Sequence, residues 1–127
     1  MGQKVNPHGL RVGVIKDWDS RWYARNDKVG DLIVEDYKIR KFLKKTLYSA
    51  GVPTIEIERD SNKVRIYIHC SRPGVVIGKG GAEIEKLQAQ VSKMIGKPVA
   101  LSIVEVRTPD TNAQLVAENI ASQLERR

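Results

Sequence analysis

The stretch RPGVVIGKGGAEI, residues 72–84, decides the fold of this chain. It consists of an apolar run, a Gly-Lys-Gly-Gly loop and the opening of an amphipathic helix. Three glycines around one lysine contribute no core packing, but without Cβ atoms they let a bulky anion approach the backbone closely. The loop amides also lie near the positive end of the dipole of the following helix. The stretch therefore predicts a contact with phosphate.

Nucleotide-binding loops do not fit this stretch. A P-loop needs four residues between its glycines and Ser or Thr after the lysine, whereas three residues separate Gly74 from Gly78 and Gly80 follows Lys79. The dinucleotide fingerprint needs a third glycine where Glu83 stands. What remains is a G-x-x-G loop between two helical segments, the arrangement that clamps about four backbone nucleotides in KH domains. A plain turn between two helices would need one glycine rather than three.

The segment ahead of the loop predicts a helix and a β-hairpin. Apolar residues recur at helical spacing from Asp31 to Ala50, and Gly51 and Pro53 end the helix. Its other face carries Lys38, Arg40, Lys41, Lys44 and Lys45, which favours a solvated face and a phosphate-facing surface about equally.

The hairpin is predicted from two alternating segments, 55–58 and 64–69, around turn residues 60–63. We expect Glu56 and Glu58 to pair across the strands with Arg65 rather than to form a catalytic carboxylate pair.

After the loop, the chain predicts a helix, a third strand and a last helix. Ile84, Leu87 and Val91 form a helical stripe that Gly96 and Pro98 end. Residues 99–106 alternate as a strand, and Thr108-Pro109 begins the last helix. That helix reaches Arg127 without a stop signal, which predicts a longer parent protein.

These elements predict an α+β fold: a three-stranded mixed sheet with helices packed on one face, preceded by an irregular basic N-terminal arm. The order helix-strand-strand-helix-helix-strand resembles the type II KH domain. We place the arm at residues 1–29, the type II KH domain at 30–107, and at 108–127 a C-terminal helix leading to a second domain outside this chain.

The arm places aromatic residues among basic ones. Trp18, Trp22 and Tyr23 stand among lysines and arginines, and four glycine or proline positions interrupt residues 1–29. The aromatics either pack the arm back onto the domain or lie along RNA with the cations on phosphates. The residue types leave both readings open.

The composition agrees with one nucleic-acid-binding domain. The net charge is +7 and the pI about 9.7, which favours a polyanionic partner, nucleic acid before a membrane. No apolar run approaches membrane-spanning length and no signal peptide is evident, so we expect a cytoplasmic protein. His8 and His69 are isolated and Cys70 has no evident base partner, so we expect no enzyme, metal site or cofactor.

Four segments resemble the family of bacterial small-subunit ribosomal protein three. They are residues 1–7 (MGQKVNP), 72–81 (RPGVVIGKGG), 105–107 (EVR) and 121–127 (ASQLERR). The resemblance covers the whole chain, and its opening motif is far more specific than G-x-x-G. It implies a structural constituent of the small ribosomal subunit that binds small-subunit ribosomal RNA and contributes to head assembly at the messenger RNA entrance.

The resemblance also implies partners and marks two departures. Messenger RNA is a second candidate RNA partner, and small-subunit proteins ten, fourteen and two are candidate neighbours. The family continues into a second domain with basic residues implicated in unwinding messenger RNA, and these are absent here. Many relatives carry a second charged residue in the loop where this chain has Gly80, so its loop is less cationic.

The hypothesis therefore assigns RNA binding to three groups of residues. They are Gly78, Lys79, Gly80, Gly81 and Arg72 at the loop, Lys4, Arg11, Lys16, Arg21, Trp22 and Arg25 in the arm, and Lys41, Lys44 and Lys45 on the basic helix. Ile77, Ile84 and Ile66 are candidates for an apolar base groove, with core packing as the competing role for Ile66. A KH-type accessory module outside the ribosome is the alternative function.

Overall fold

A computed structural model describes residues 2–127, so Met1, the first residue of the predicted arm, lies outside it. The helices are α1 (Pro7–Arg11), α2 (Asn26–Thr46), α3 (Pro73–Ile77), α4 (Ala82–Ile95) and α5 (Ala113–Arg126). The strands are β1 (Ser20–Arg21), β2 (Thr54–Arg59), β3 (Val64–Cys70) and β4 (Val99–Glu105). Short 3-10 turns follow α2 and precede α4 and α5.

The sheet confirms the α+β class but has four strands rather than the predicted three. Its order is β1-β2-β3-β4, with β2 and β3 antiparallel and the outer pairs parallel. The additional strand is β1, in which Ser20 and Arg21 lie beside Ile57 and Glu58. A strand of two residues is too short to show the alternating pattern by which strands are predicted. This strand is defined only by its pairing with β2.

The core lies between one face of the sheet and the helices. Ile57, Ile66 and Ile68 of the sheet are fully buried, as are Ile39 and Leu43 of α2. Leu87 and Val91 of α4 belong to the same cluster. Because α3 and α4 connect β3 to the parallel strand β4, the Gly78–Gly81 loop lies beyond the end of β3 that Cys70 occupies.

The predicted arm is more ordered than its glycines and prolines suggested. Asn6 accepts a hydrogen bond from the backbone amide of His8 at 2.9 Å and caps α1. Pro7 occupies the first position of this helix, where proline is favoured. The helix predicted from Asp31 begins at Asn26, so residues 26–29, which we placed in the arm, form its first turn. α1 buries no residue, whereas α2 buries three.

The described residues contain neither a membrane-spanning helix nor a cluster of metal-ligating side chains. No helix within residues 2–127 is long and apolar enough to cross a membrane. The same residues bring together no group of three or more His, Cys, Asp or Glu side chains that could hold a metal ion.

Candidate nucleic-acid interface

The loop between α3 and α4 is held by its first glycine. Gly78 has φ +71° and ψ −170°, a region that only glycine adopts readily. A Cβ there would lie 2.5 Å from Cγ and 2.9 Å from Cβ of Glu83. The Gly78 amide donates to the Gly74 carbonyl at 3.0 Å and ends α3. Gly78 is therefore required by both its backbone conformation and its packing.

The next two glycines are free of such packing. Gly80 and Gly81 have φ +62° and +79°, and a Cβ at either position would meet no atom within 4 Å. Their backbone faces open space, so a ligand of the size of a sugar-phosphate can approach it. The loop thus has a rigid first corner and an open centre.

Two basic residues stand near this open centre in the sequence, Lys79 within the loop and Arg72 just before α3. Lys79 is exposed, and no carboxylate of residues 2–127 forms an ion pair with it. Arg72 is also exposed and begins α3, where its backbone amide donates to the Ala50 carbonyl at 3.2 Å. The Lys79 ammonium is therefore available to a phosphate, whereas the Arg72 guanidinium donates to the Ser49 carbonyl at 3.5 Å.

The apolar flank of the loop is smaller than expected. Ile77 is 39% exposed immediately before Gly78, and Ile84 is half-buried in the first turn of α4. Ile66 is fully buried at the centre of the sheet. It packs the core and cannot form part of a surface groove.

The basic face of α2 divides into two parts. Lys38, Lys41 and Lys45 recur at helical spacing and are exposed. The Lys44 ammonium instead contacts the Val52 carbonyl and the Glu118 carboxylate of α5. Lys44 therefore ties α5 to the domain, and its charge is paired within the chain.

The arm residues also divide, into free and docked groups. Lys4, Arg11, Lys16 and Arg25 are exposed. Arg21 forms ion pairs with Glu56 at 2.6 Å and Glu58 at 3.1 Å.

Our expectation that these two acids pair with Arg65 was wrong. Glu58 does lie opposite Arg65 in the sheet. The Arg65 guanidinium nevertheless turns to Asp60 at 2.9 Å, within the hairpin turn. β1 brings Arg21 onto the same face of the sheet, and this cation takes the place predicted for Arg65.

Trp22 is docked through Asp36, an acid that the sequence reading missed. Asp36 is 2% exposed on α2. Its Oδ2 accepts hydrogen bonds from the Trp22 indole at 2.7 Å and the Ser20 hydroxyl at 2.9 Å. Its Oδ1 accepts two from the Arg59 guanidinium, at 2.6 and 3.1 Å. We call these four side chains the Asp36 cluster.

A signal for the Asp36 cluster was present in the sequence. Asp36 precedes Ile39 by three residues and Leu43 by seven, so it lies on the buried stripe of α2. A carboxylate at such a position needs several donors, because an unpaired buried charge is costly. Its donors come from β1, the arm and β2, which only the tertiary structure brings together.

The structure therefore brings together some of the candidate RNA-binding residues and separates others. Arg72 lies at the loop end of the sheet together with the last turn of α2, which carries Lys44 and Lys45. Arg25 lies at the opposite end, beside the β2–β3 turn. The candidates form at least two separate surfaces.

Comparison with known proteins gives close relatives over the whole chain. The chain is 66% identical over 127 residues to small ribosomal subunit protein uS3 of Agathobacter rectalis, covering 100% of this chain and 58% of the relative. It is 59% identical over 127 residues to uS3 of Acetivibrio thermocellus, covering 56% of that protein, and 65% identical over 128 residues to uS3 of Clostridioides difficile, covering 47%. All of this chain is covered in both cases. The chain spans about half the length of the curated relatives it matches.

These matches confirm the resemblance to bacterial small-subunit ribosomal protein three. The sequence profile of the KH domain family matches residues 38–111, which run from α2 to the turn ahead of α5 and include the Gly78–Gly81 loop. The chain belongs to the KH domain family.

Proposed function

We propose that this chain is part of a structural protein of the small ribosomal subunit and that it binds small-subunit ribosomal RNA. The observation that carries the proposal is the 66% identity, over all 127 residues, to a protein named small ribosomal subunit protein uS3. The open loop and the net charge of +7 support an RNA partner independently of that name. We assign the chain no catalytic reaction.

The loop is the proposed backbone contact. Gly80 and Gly81 leave room for the sugar-phosphate chain, and Lys79 and Arg72 supply positive charge on either side of Gly78. Ile77 offers an apolar surface for a base. Lys41 and Lys45 of α2 and Lys4, Arg11, Lys16 and Arg25 of the arm are proposed as further phosphate contacts.

Within the particle, we place the chain in the head of the small subunit, where it contributes to head assembly beside the messenger RNA entrance. Messenger RNA and small-subunit proteins ten, fourteen and two are its proposed neighbours, and the cytoplasmic ribosome is its location. These assignments rest on the resemblance to the ribosomal family.

The test is incorporation of the epitope-tagged chain into small subunits, followed on sucrose gradients of cell extracts. We expect the chain to sediment with the small subunit at high salt and to bind its ribosomal RNA in preference to an unrelated RNA of equal length. A chain that stays at the top of the gradient while still binding single-stranded RNA would identify a KH-type accessory module outside the ribosome.

To test the contribution of the arm to RNA binding, the deletion must be shorter than residues 1–29. Ser20 and Trp22 bind Asp36, and residues 26–29 belong to α2, so the longer deletion would also disturb the core. Deletion of residues 2–16 removes Lys4, Arg11 and Lys16 and leaves the Asp36 cluster whole. Normal incorporation of that variant would contradict the proposed RNA contacts of Lys4, Arg11 and Lys16.

A further inference from the structure

A second basic surface lies at the end of the sheet opposite the Gly78–Gly81 loop. It is a cleft of about 750 Å³ between residues 22–25, the first turns of α2, the β2–β3 turn and Lys97. We call it the hairpin-end cleft. The β2–β3 turn precedes Val64 and the loop follows Cys70, so β3 separates the two sites by about 20 Å.

Basic residues outnumber acidic residues in the cleft, and several of the basic side chains have no carboxylate partner among the described residues. Five basic residues but only two acids line it: Arg25, Lys28, Arg59, Lys63 and Lys97 against Asp27 and Asp60. Arg59 is held by Asp36, and Lys97 lies 3.3 Å from Glu35. Asp60 is paired with Arg65.

Three basic side chains of the cleft therefore remain without an ion-pair partner among the described residues. Arg25, Lys28 and Lys63 form no ion pair with any carboxylate in the part of the chain that the structure describes. They come from two distant places in the sequence: Arg25 and Lys28 stand at the start of α2, and Lys63 lies in the hairpin turn. Their convergence around one concave surface is a product of the fold.

An exposed aromatic ring accompanies these cations. Tyr23 is 95% exposed, and it directly follows Trp22, whose indole is fixed to buried Asp36. Burying that ring against a planar partner would recover the free energy lost by exposing it to water. Tyrosine faces that stack on bases, next to cations that bind phosphates, are typical of surfaces for single-stranded RNA.

We propose that the hairpin-end cleft is a second RNA-binding site, with phosphates on Arg25, Lys28 and Lys63 and an unpaired base on Tyr23. The inference rests on the proposed function and adds Tyr23, Lys28 and Lys63 to it, gathered with Arg25 into one site at the end of the sheet away from the loop. One chain then holds RNA at both ends of its sheet. An acidic protein segment is the competing occupant, because it would use the cations without needing the ring.

The test compares two charge-matched variants of the whole chain. Lys28→Gln with Lys63→Gln alters the cleft, and Lys86→Gln with Lys93→Gln removes two exposed lysines of α4. We expect the cleft variant to raise the Kd for small-subunit ribosomal RNA about tenfold and to lower the slope of log K against log salt by about 2. The α4 variant should change the Kd less than about threefold.

A third variant tests the base contact. Tyr23→Ala removes no charge and, at an exposed position, leaves the fold intact. It should raise the Kd about tenfold at every salt concentration, with the salt slope unchanged. An acidic protein occupant predicts no effect of any of these variants on RNA binding.

Failure of the two proposals can be told apart. If the wild-type chain does not bind the ribosomal RNA, both proposals are overturned. If the wild-type chain binds and a loop variant such as Lys79→Glu binds weakly, but both cleft variants match the α4 control, the cleft proposal alone is overturned.

Discussion

The Asp36 cluster and the Gly78–Gly81 loop use polar groups in opposite ways. Around Asp36, both carboxylate oxygens accept hydrogen bonds, and the side chains of Asp36 and Arg59 are 4% and 6% exposed. At the loop, Lys79 is exposed and unpaired among the described residues, and two glycines face open space. Polar groups that find their partners within the chain hold the fold, and those left without partners are available to a ligand.

The largest effect on stability should come from removing the carboxylate at the centre of the Asp36 cluster. Asp36→Ala leaves the Arg59 guanidinium buried without its main partner and frees the Trp22 indole, so we expect a loss of about 3–5 kcal/mol in the free energy of unfolding. Urea denaturation measures it. Because a domain of this size has about 5–15 kcal/mol in total, this loss is a large share of its stability.

Glu35→Ala is the matched control for this prediction. Glu35 binds the same guanidinium at 2.9 Å, but its side chain is 27% exposed. We expect a loss of no more than about 1 kcal/mol. Equal losses for the two variants would contradict the central role of Asp36.

The next largest effect is a difference in stability between variants of two glycines in the same loop. Gly78→Ala forces a Cβ against Glu83 in a backbone region restricted to glycine, and should destabilise the chain by about 2–3 kcal/mol. Gly80→Ala, at φ +62° in open space, should cost about 1 kcal/mol. Thermal unfolding of both proteins would check the difference, and a costlier Gly80 variant would show that the loop is packed otherwise.

A smaller effect on binding alone is expected from the loop charge. Lys79→Asp with Gly80→Asp places two carboxylates where a phosphate is proposed, and Asp tolerates the left-handed conformation of Gly80 better than most residues. The Kd for single-stranded RNA should rise about tenfold or more at low salt. The free energy of unfolding should fall by no more than about 1 kcal/mol, which distinguishes this variant from those of the cluster.

Lys93→Glu is the control for that variant, since it adds negative charge at the far end of α4. Its RNA binding should stay close to that of the wild-type chain. A Kd equal to the wild-type value for the loop variant itself would remove the loop from the RNA interface.

The smallest effect concerns the buried thiol of Cys70. Burial chiefly, and the Glu105 carboxylate secondarily, raise the pKa of this thiol above its ordinary 9.0, while the Arg72 backbone amide opposes them. The stabilisation that comes from this raised pKa is complete below pH 9.0, the ordinary pKa of the thiol. It is lost as the pH rises through the higher pKa of the folded state. Alkylation by iodoacetamide at pH 8 should be at least about tenfold slower in the native chain than in urea.

Local signals were enough to predict most of the fold. The hairpin alternates with period two, α4 carries an apolar stripe that Gly96 ends with φ +70°, and β4 follows Pro98. Each of these patterns lies within about fifteen consecutive residues. The glycine loop was also recognisable locally, because its three glycines and Lys79 are four consecutive residues.

Two features were missed although their signals are local: α1, which Asn6 and Pro7 begin, and the start of α5 at Ala113, where Asn112 rather than Thr108 is the cap. The other missed features depend on contacts between distant residues. β1 has two residues and exists because Ile57 donates to the Asp19 carbonyl at 2.8 Å. The partner of Glu56 proved to be Arg21, 35 residues away, and not the cross-strand Arg65. The choice between packing and RNA binding for Trp22 depended on where Asp36 lies, and no pattern within the arm contains that information.

We propose that the Gly78–Gly81 loop, and not the Asp36 cluster, contacts RNA. It can be tested by following the backbone amide resonances of the isotopically labelled chain while a single-stranded oligoribonucleotide is added. We predict the largest shifts at Gly78–Gly81 and Ile77, with the indole resonance of Trp22 still hydrogen-bonded and slow to exchange. Unmoved loop amides in an RNA-saturated chain would contradict this account.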